Sequence, residues 1–295
     1  MIEVTEIASL LFFALAAGFV GALFGIGGGV VIVPVLTAFF GVGIKEAAAV
    51  SIVSVVATSI AGGSRYVEQG MTNVRLAMFL EMTTTLGALT GAFLTLIAPR
   101  FALFFILSML LAYLSIIQIK TRKEEAEKVK FNKFSSVKED SISKGLNLAA
   151  EYYDVAEGKE VRYKVCKSIQ GLFASYIAGI LSGLLGIGGG VLKVSIMNQV
   201  MNIPTKVAIA TSKFMIGVTA STSALLYLTS GLIDYIVVTP IAIGVMIGAT
   251  IGTILMNRIK VAKLKALFGL LLSYFSYLML ARGLFIIFSL KLPGV

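Results

Sequence analysis

The chain has 295 residues, 58% of them hydrophobic and only 14% charged, with a formal charge of +10. A soluble domain carries about a quarter charged residues, so a single water-soluble globule is excluded. The absence of histidine and a lone cysteine, Cys166, leave no material for a His-bearing metal site, a Cys cluster, a disulfide or a Cys–His dyad.

The first uncharged stretch, residues 7–44, would measure roughly 57 Å as one helix, nearly twice a hydrocarbon core. It must break or fold back. The break belongs at Gly25–Gly29, where four glycines in five positions weaken a helix, so the pattern predicts a hairpin of residues 7–24 and 29–40. Glu3 and Glu6 stand where a cleavable signal would carry positive charge, so none is expected. Further continuously apolar stretches at 47–64, 82–99, 101–119, 168–192, 214–233 and 235–257 predict helices, because a membrane barrel would alternate in polarity. Between them, residues 121–148 suit an amphipathic surface helix and 151–165 alternate like a small hairpin around Glu157 and Gly158. Twelve basic residues from Lys120 to Lys167 are interleaved with nine acids, which fits a cytoplasmic loop beside anionic lipid rather than nucleic acid. Cys166 reads as an incidental thiol.

Shifting the chain by 161 residues superimposes Ala14–Ser115 on the second half without a gap. Gly25–Val30 falls on Gly186–Val191, Ser51 on Ser212, Thr58 on Thr219 and Tyr66 on Tyr227. Such duplication is the usual construction of secondary transporters. The predicted division is a first transmembrane repeat at 1–120, a basic cytoplasmic connector at 121–167 and a second repeat at 168–295. A glycine-broken hairpin plus three transmembrane helices gives each repeat five segments, an odd number that inverts the second copy. With the connector inside, this arrangement leaves nineteen basic residues inside against three outside, Lys45, Arg100 and Lys291. A parallel arrangement would export the Arg258–Lys265 cluster. The expected fold is therefore an all-α polytopic protein of the cell membrane, two inverted repeats with both termini outside.

Three groups of residues carry candidate chemistry. Gly27, Gly28, Gly29 and their partners Gly188, Gly189, Gly190 expose backbone N–H groups at a positive helix end, which favours an anion; the plain alternative is close helix packing. Lys193 and Lys213 lie in apolar segments where the first repeat has Ile32 and Ile52. Charge at that depth is costly and tends to be functional, unless a lysine snorkels or pairs with Glu81, the one carboxylate within 76–99. Among the hydroxyls Ser51, Ser54, Thr58, Ser59, Thr211, Ser212, Thr219, Ser221 and Thr222, the repeat-matched Ser51 and Ser212 are the substrate candidates, since membrane hydroxyls mostly bond to their own helix. Leucine at Gly28 or Gly189 is expected to abolish transport, and at Gly87 or Gly248 to act more mildly.

The motifs Gly18, Gly21, Gly25–Gly29, Val33–Pro34 and Gly179, Gly183, Gly186–Gly190, with the stretch Pro204–Ala220, resemble the TauE/SafE sulfite/sulfonate exporter-like family, also called 4-toluene sulfonate uptake permeases. The resemblance covers both repeats and implies transport of small organic or sulfur-containing anions such as sulfite, sulfoacetate or other sulfonates. Two positions depart from the family pattern: Ser195, where the Pro of the first copy would recur, and Lys213, where a small polar residue such as Asn is expected. The reading is a permease or exporter, not an enzyme, with no cofactor. Its partners are a small anion, the lipid bilayer and a coupling ion, proton or sodium; homo-oligomerisation is left open. The competing reading is an uncoupled anion channel.

Overall fold

A computed structural model describes residues 4–130, 133–155, 158–256 and 261–288. Glu157, Arg258, Lys260, Lys291 and the outermost terminal residues lie outside them. Helix α1 (Val4–Phe24) stops where Gly25, Gly27 and Gly28 take φ of +68°, +74° and +86°, a left-handed conformation that only glycine adopts freely. The chain then folds back as α2 (Gly29–Phe39), with Phe39 stacked on Phe13 at 6.0 Å. A Cβ on Gly21 would stand 2.2 Å from the Gly28 nitrogen, so the predicted hairpin closes without a side chain between its arms. Then follow α3 (Ile44–Glu68), α4 (Val74–Ile97) and α5 (Arg100–Lys130).

The second half repeats the order. Helix α7 (Ser168–Leu185) breaks at Gly186, Gly188 and Gly189, all at positive φ, before α8 (Gly190–Gln199), α9 (Thr205–Thr229), α10 (Tyr235–Met256) and α11 (Val261–Phe288). Among the described residues eight helices are long and apolar enough to cross a bilayer, while α2 and α8 are too short. The eighth span, in α11, is interrupted in sequence by Arg282, whose guanidinium donates to the Ala38 carbonyl at 2.8 Å.

Helices α1 and α10 run parallel, with Gly244 against Leu11, Gly248 against Leu15 and Gly252 against Phe19. Helices α4 and α7 do the same through Gly87 against Tyr176 and Gly91 against Ile180. By contrast α3 and α9 are antiparallel, Gly63 meeting Lys213 and Gly217 meeting Ser59. So are α5 and α11, where Ser108 bonds Ser276 and Ser115 bonds Gly269. Small residues allow this backbone approach, which supplies packing where lipid offers no hydrophobic driving force. Phe12, Phe93, Met109, Phe173 and Leu270 stay on the outer surface.

The connector departs from expectation. Instead of an amphipathic helix over 121–148, α5 continues to Lys130 and is followed by a 3-10 turn (Lys133–Ser135) and the five-residue α6 (Ser141–Gly145). Asp140, in extended conformation, starts new helices instead: its carboxylate accepts from Ser143 N at 2.9 Å and Ser168 N at 2.6 Å, the role of an N-cap. The predicted hairpin is present as β1 (Ala150–Asp154) and β2 (Lys159–Tyr163), with Tyr152 opposite Val161. Phe134, Leu148, Tyr152, Val161 and Tyr163 form its buried core. It is docked, too: Lys206 at the start of α9 donates to Asp154 at 2.7 Å with both side chains buried, and Asn73 Nδ2 donates to Leu148 O and Tyr163 Oη. Burial pushes the half-buried Cys166 thiol above its usual range, with Lys167 opposing and Asp140 adding to the shift, which disfavours its thiolate.

Candidate functional site

The two glycine breaks meet at the centre of the molecule. A Cβ on Gly29 would lie 2.9 Å from the Gly186 carbonyl oxygen, and one on Gly190 would lie 2.3 Å from that of Gly25. Gly27 and Gly188 close on the same side chain, Val55, at 2.8 and 2.5 Å by the same measure. Ser51 Oγ donates to Gly186 O at 2.7 Å, and Ser212 Oγ lies 3.2 Å from both Gly25 O and Gly190 O. Each repeat-matched serine thus ties its helix to the break of the other half. The serines stand about 8 Å from the midpoints of α3 and α9 at 1.5 Å per residue. Helices α2 and α8 begin here, so the first N–H groups of each, Gly29 and Val30 in α2 and Gly190 and Val191 in α8, precede the first helical hydrogen bonds, and two positive dipole ends converge in a buried region.

The predicted residues therefore separate into one central group and two lysines on different sides of it. Lys193, one turn into α8, is 1% exposed and reaches between α4 and α9. Its Nζ stands 3.5 Å from Glu81 Oε2 and donates to the Thr219 hydroxyl, which in turn donates to Glu81 Oε1. Thr84 and Thr85 donate to the same carboxylate at 3.0 Å each. Lys213 lies elsewhere. It is fully buried on α9, facing Gly62 of α3 and Thr253 of α10, and its Nζ has no hydrogen-bond partner among the described residues. A Cβ at Gly62 would stand 2.9 Å from Lys213 Cε and 3.0 Å from Thr253 Oγ1. The Thr253 hydroxyl itself donates to Ala249 O at 2.6 Å. Glu81 is thus the partner of Lys193, and the Lys213–Glu81 pairing considered from sequence does not occur.

Most other hydroxyl candidates bond to backbone: Ser54 to Val50 O, Ser59 to Lys213 O, Thr58 to Gly27 O, Ser221 to Gly217 O and Thr222 to Val218 O. Thr219 is different, because it links two charged side chains. Sequence reasoning passed over it and missed Thr84, Thr85, Gly62 and Thr253. A signal for the first cluster exists in the 161-residue register, which sets Glu81 against Ala242 and Lys193 against Ile32: two opposite charges without counterparts.

The sulfite exporter TauE/SafE family matches residues 10–279. Among curated relatives, a probable membrane transporter protein of Bacillus subtilis (strain 168), YunE, is 24% identical over 285 residues, 94% of this chain and 98% of its own. A second from that strain, YdhB, is 23% identical over 253 residues, covering 84% and 88% respectively. The probable membrane transporter protein MamO of Paramagnetospirillum magneticum is 28% identical over 299 residues, 90% of this chain but 43% of its own length. No solved structure matches. With eight candidate spans and a family match across nearly its whole length, the chain belongs to the sulfite exporter TauE/SafE family of multi-pass membrane transporters.

Proposed function

We propose that the protein is a secondary permease or exporter for small organic or sulfur-containing anions such as sulfite or sulfonates. The observation that carries this reading is Lys213, whose amine is buried within a membrane-spanning helix with no hydrogen-bond partner among the described residues. An ionic group at that depth is costly unless neutralised, and an anionic substrate is the charge that would do so. Two helix N-termini converging nearby add to the same positive potential. In this reading Gly28, Gly29, Gly188, Gly189 and Gly190 offer backbone N–H groups when the two halves separate, whereas the Gly27 N–H, expected from sequence to do the same, is bonded within its own half to Gly21 O at 3.3 Å. Ser51 and Ser212 hold the breaks in register, and Lys193 and Lys213 supply charge.

A thermal-shift screen across sulfite, sulfate, thiosulfate, sulfonates and carboxylates tests it. A true ligand at a hundred times its Kd should stabilise the fold by about 2.7 kcal/mol. Stabilisation by none of these anions would remove the proposal. Accumulation against a concentration gradient in vesicles, driven by imposed proton or sodium gradients, separates the permease from an uncoupled channel.

The proposal includes inverted repeats at 1–120 and 168–295 around the connector at 121–167. It is supported by the helix directions. Because α9 runs against α3 and α11 runs against α5, these helices 161 residues apart in sequence point in opposite senses. Both termini then lie outside and the connector in the cytoplasm, in line with the basic-residue count. In a Cys166→Ser background, Arg100→Cys should react with an impermeant thiol reagent in whole cells and Lys144→Cys should not. Labelling only at 144 would reverse the orientation.

A further inference from the structure

We propose that Glu81 is a proton-loading site that couples proton movement to anion transport, by competing with the substrate for Lys193. This rests on the anion-transport reading above. The ammonium of Lys193 has one carboxylate neighbour among the described residues, 3.5 Å away. While Glu81 is ionised, the pair is neutral and Lys193 is occupied by an internal anion. A proton from water adds to a Glu81 carboxylate oxygen and converts it to the neutral acid. The lysine stays an ammonium, the pair becomes +1, and a substrate anion returns the site to neutrality. Release on the other side reverses both steps, so one proton travels with one negative charge.

The surroundings suit both protonation states. Thr219 accepts from Lys193 and donates to Glu81, but its hydroxyl has a second acceptor, Met215 O, at 3.1 Å. Thr84, which donates to Glu81 Oε2, has Leu80 O and Glu81 O within 3.2 Å. When Oε2 takes the proton, Thr84 turns to its backbone carbonyls while Oε1 still accepts from Thr85 and Thr219, so no donor is stranded, which is the usual penalty for altering a buried polar network. Packing does not require the pair. The other half seats its equivalent helices with Ile32, Thr58 and Ala242 at the matching positions, Thr58 donating to Gly27 O. Lys193 is also one turn beyond the break, its N–H bonded to Gly189 O, so an anion at the N–H groups of α8 would lie within the reach of its side chain.

The groups facing Glu81 are few. Helix α8 contributes Lys193, α9 contributes Thr219, and α4 itself contributes Thr84 and Thr85. The other lysines of α9 point away, Lys206 to Asp154 and Lys213 to Gly62 and Thr253. The one titratable side chain of α7 is Tyr176, on the outer surface.

Methanesulfonate is a suitable probe because it is fully ionised across the working pH range, so any proton taken up belongs to the protein. In weakly buffered detergent solution the wild-type protein should take up one proton per anion bound. On the alkaline side, where binding requires that proton to be taken up, the Kd should weaken about tenfold per pH unit. Glu81→Gln should bind methanesulfonate with no proton uptake and no such slope. In vesicles it should exchange the anion but fail to accumulate it under an inward proton gradient. Binding by the wild type without proton uptake would overturn the proposal whether or not the variant folds. A Glu81→Gln protein that retains uptake and slope, with only its thermal stability lowered, would reduce the pair to a structural bridge. Absence of methanesulfonate binding at every pH would overturn the anion reading itself.

Discussion

Lys213→Met should leave the protein folded and weaken anion binding by about 2–5 kcal/mol, or roughly 30- to 4,000-fold. Methionine keeps the stem and removes the charge. Because Lys213 Nζ has no partner among the described residues, its loss strands no carboxylate there, and deleting a desolvated, unpaired amine removes a cost from the folded state. The melting temperature without ligand should therefore hold or rise. Adding Glu81→Gln should restore nothing, since Glu81 bonds to Lys193, Thr219, Thr84 and Thr85 instead. Lys213→Arg should retain part of the binding. Its planar fork must fit beside Gly62 and Thr253, where a Cβ at 62 would already be 2.9 Å from the lysine stem. Isothermal titration and a melting curve on each purified variant make the comparison, and normal affinity in a stable Lys213→Met would sink the role assigned to the charge.

Gly248→Leu and Gly87→Leu should yield no folded protein, reversing the milder effect expected from sequence. A Cβ at 248 would lie 2.0 Å from the Leu15 carbonyl oxygen and one at 87 would lie 2.2 Å from that of Tyr176. Both obstacles are helix backbone, so α1 must move off α10, or α4 off α7, along contacts made by several successive glycines. Alanine should already be damaging at these two positions. Gly28→Ala is the contrast: its Cβ meets Ala17 O at 3.1 Å and its φ of +86° adds about 1–2 kcal/mol of left-handed strain. That variant should be recoverable but less stable. Monodisperse yield on size exclusion in detergent ranks the three glycines, and a well-folded Gly248→Leu would show that the interface can yield.

The local features were legible because they depend on residues near each other in the chain. Continuous apolar runs mark helices in lipid, and four glycines in five positions mark the two breaks. Alternation around Gly158 marks the hairpin that became β1 and β2. The 161-residue register even singled out Ser51 and Ser212, which the structure brings to opposite glycine carbonyls. What the sequence left open were choices between distant partners. Glu81 had two lysines available, and the crossing of α4, α8 and α9 gave it Lys193, while the face of α9 bearing Lys213 turned to Gly62 and Thr253. Gly87 and Gly248 look like ordinary helix residues until another backbone lies against them. The connector's charge pattern suggested solvent, yet Asp154 is buried against Lys206. In each case a one-dimensional pattern states what a residue is, but burial and pairing depend on helix rotation and crossing, which only the packing of the two halves determines.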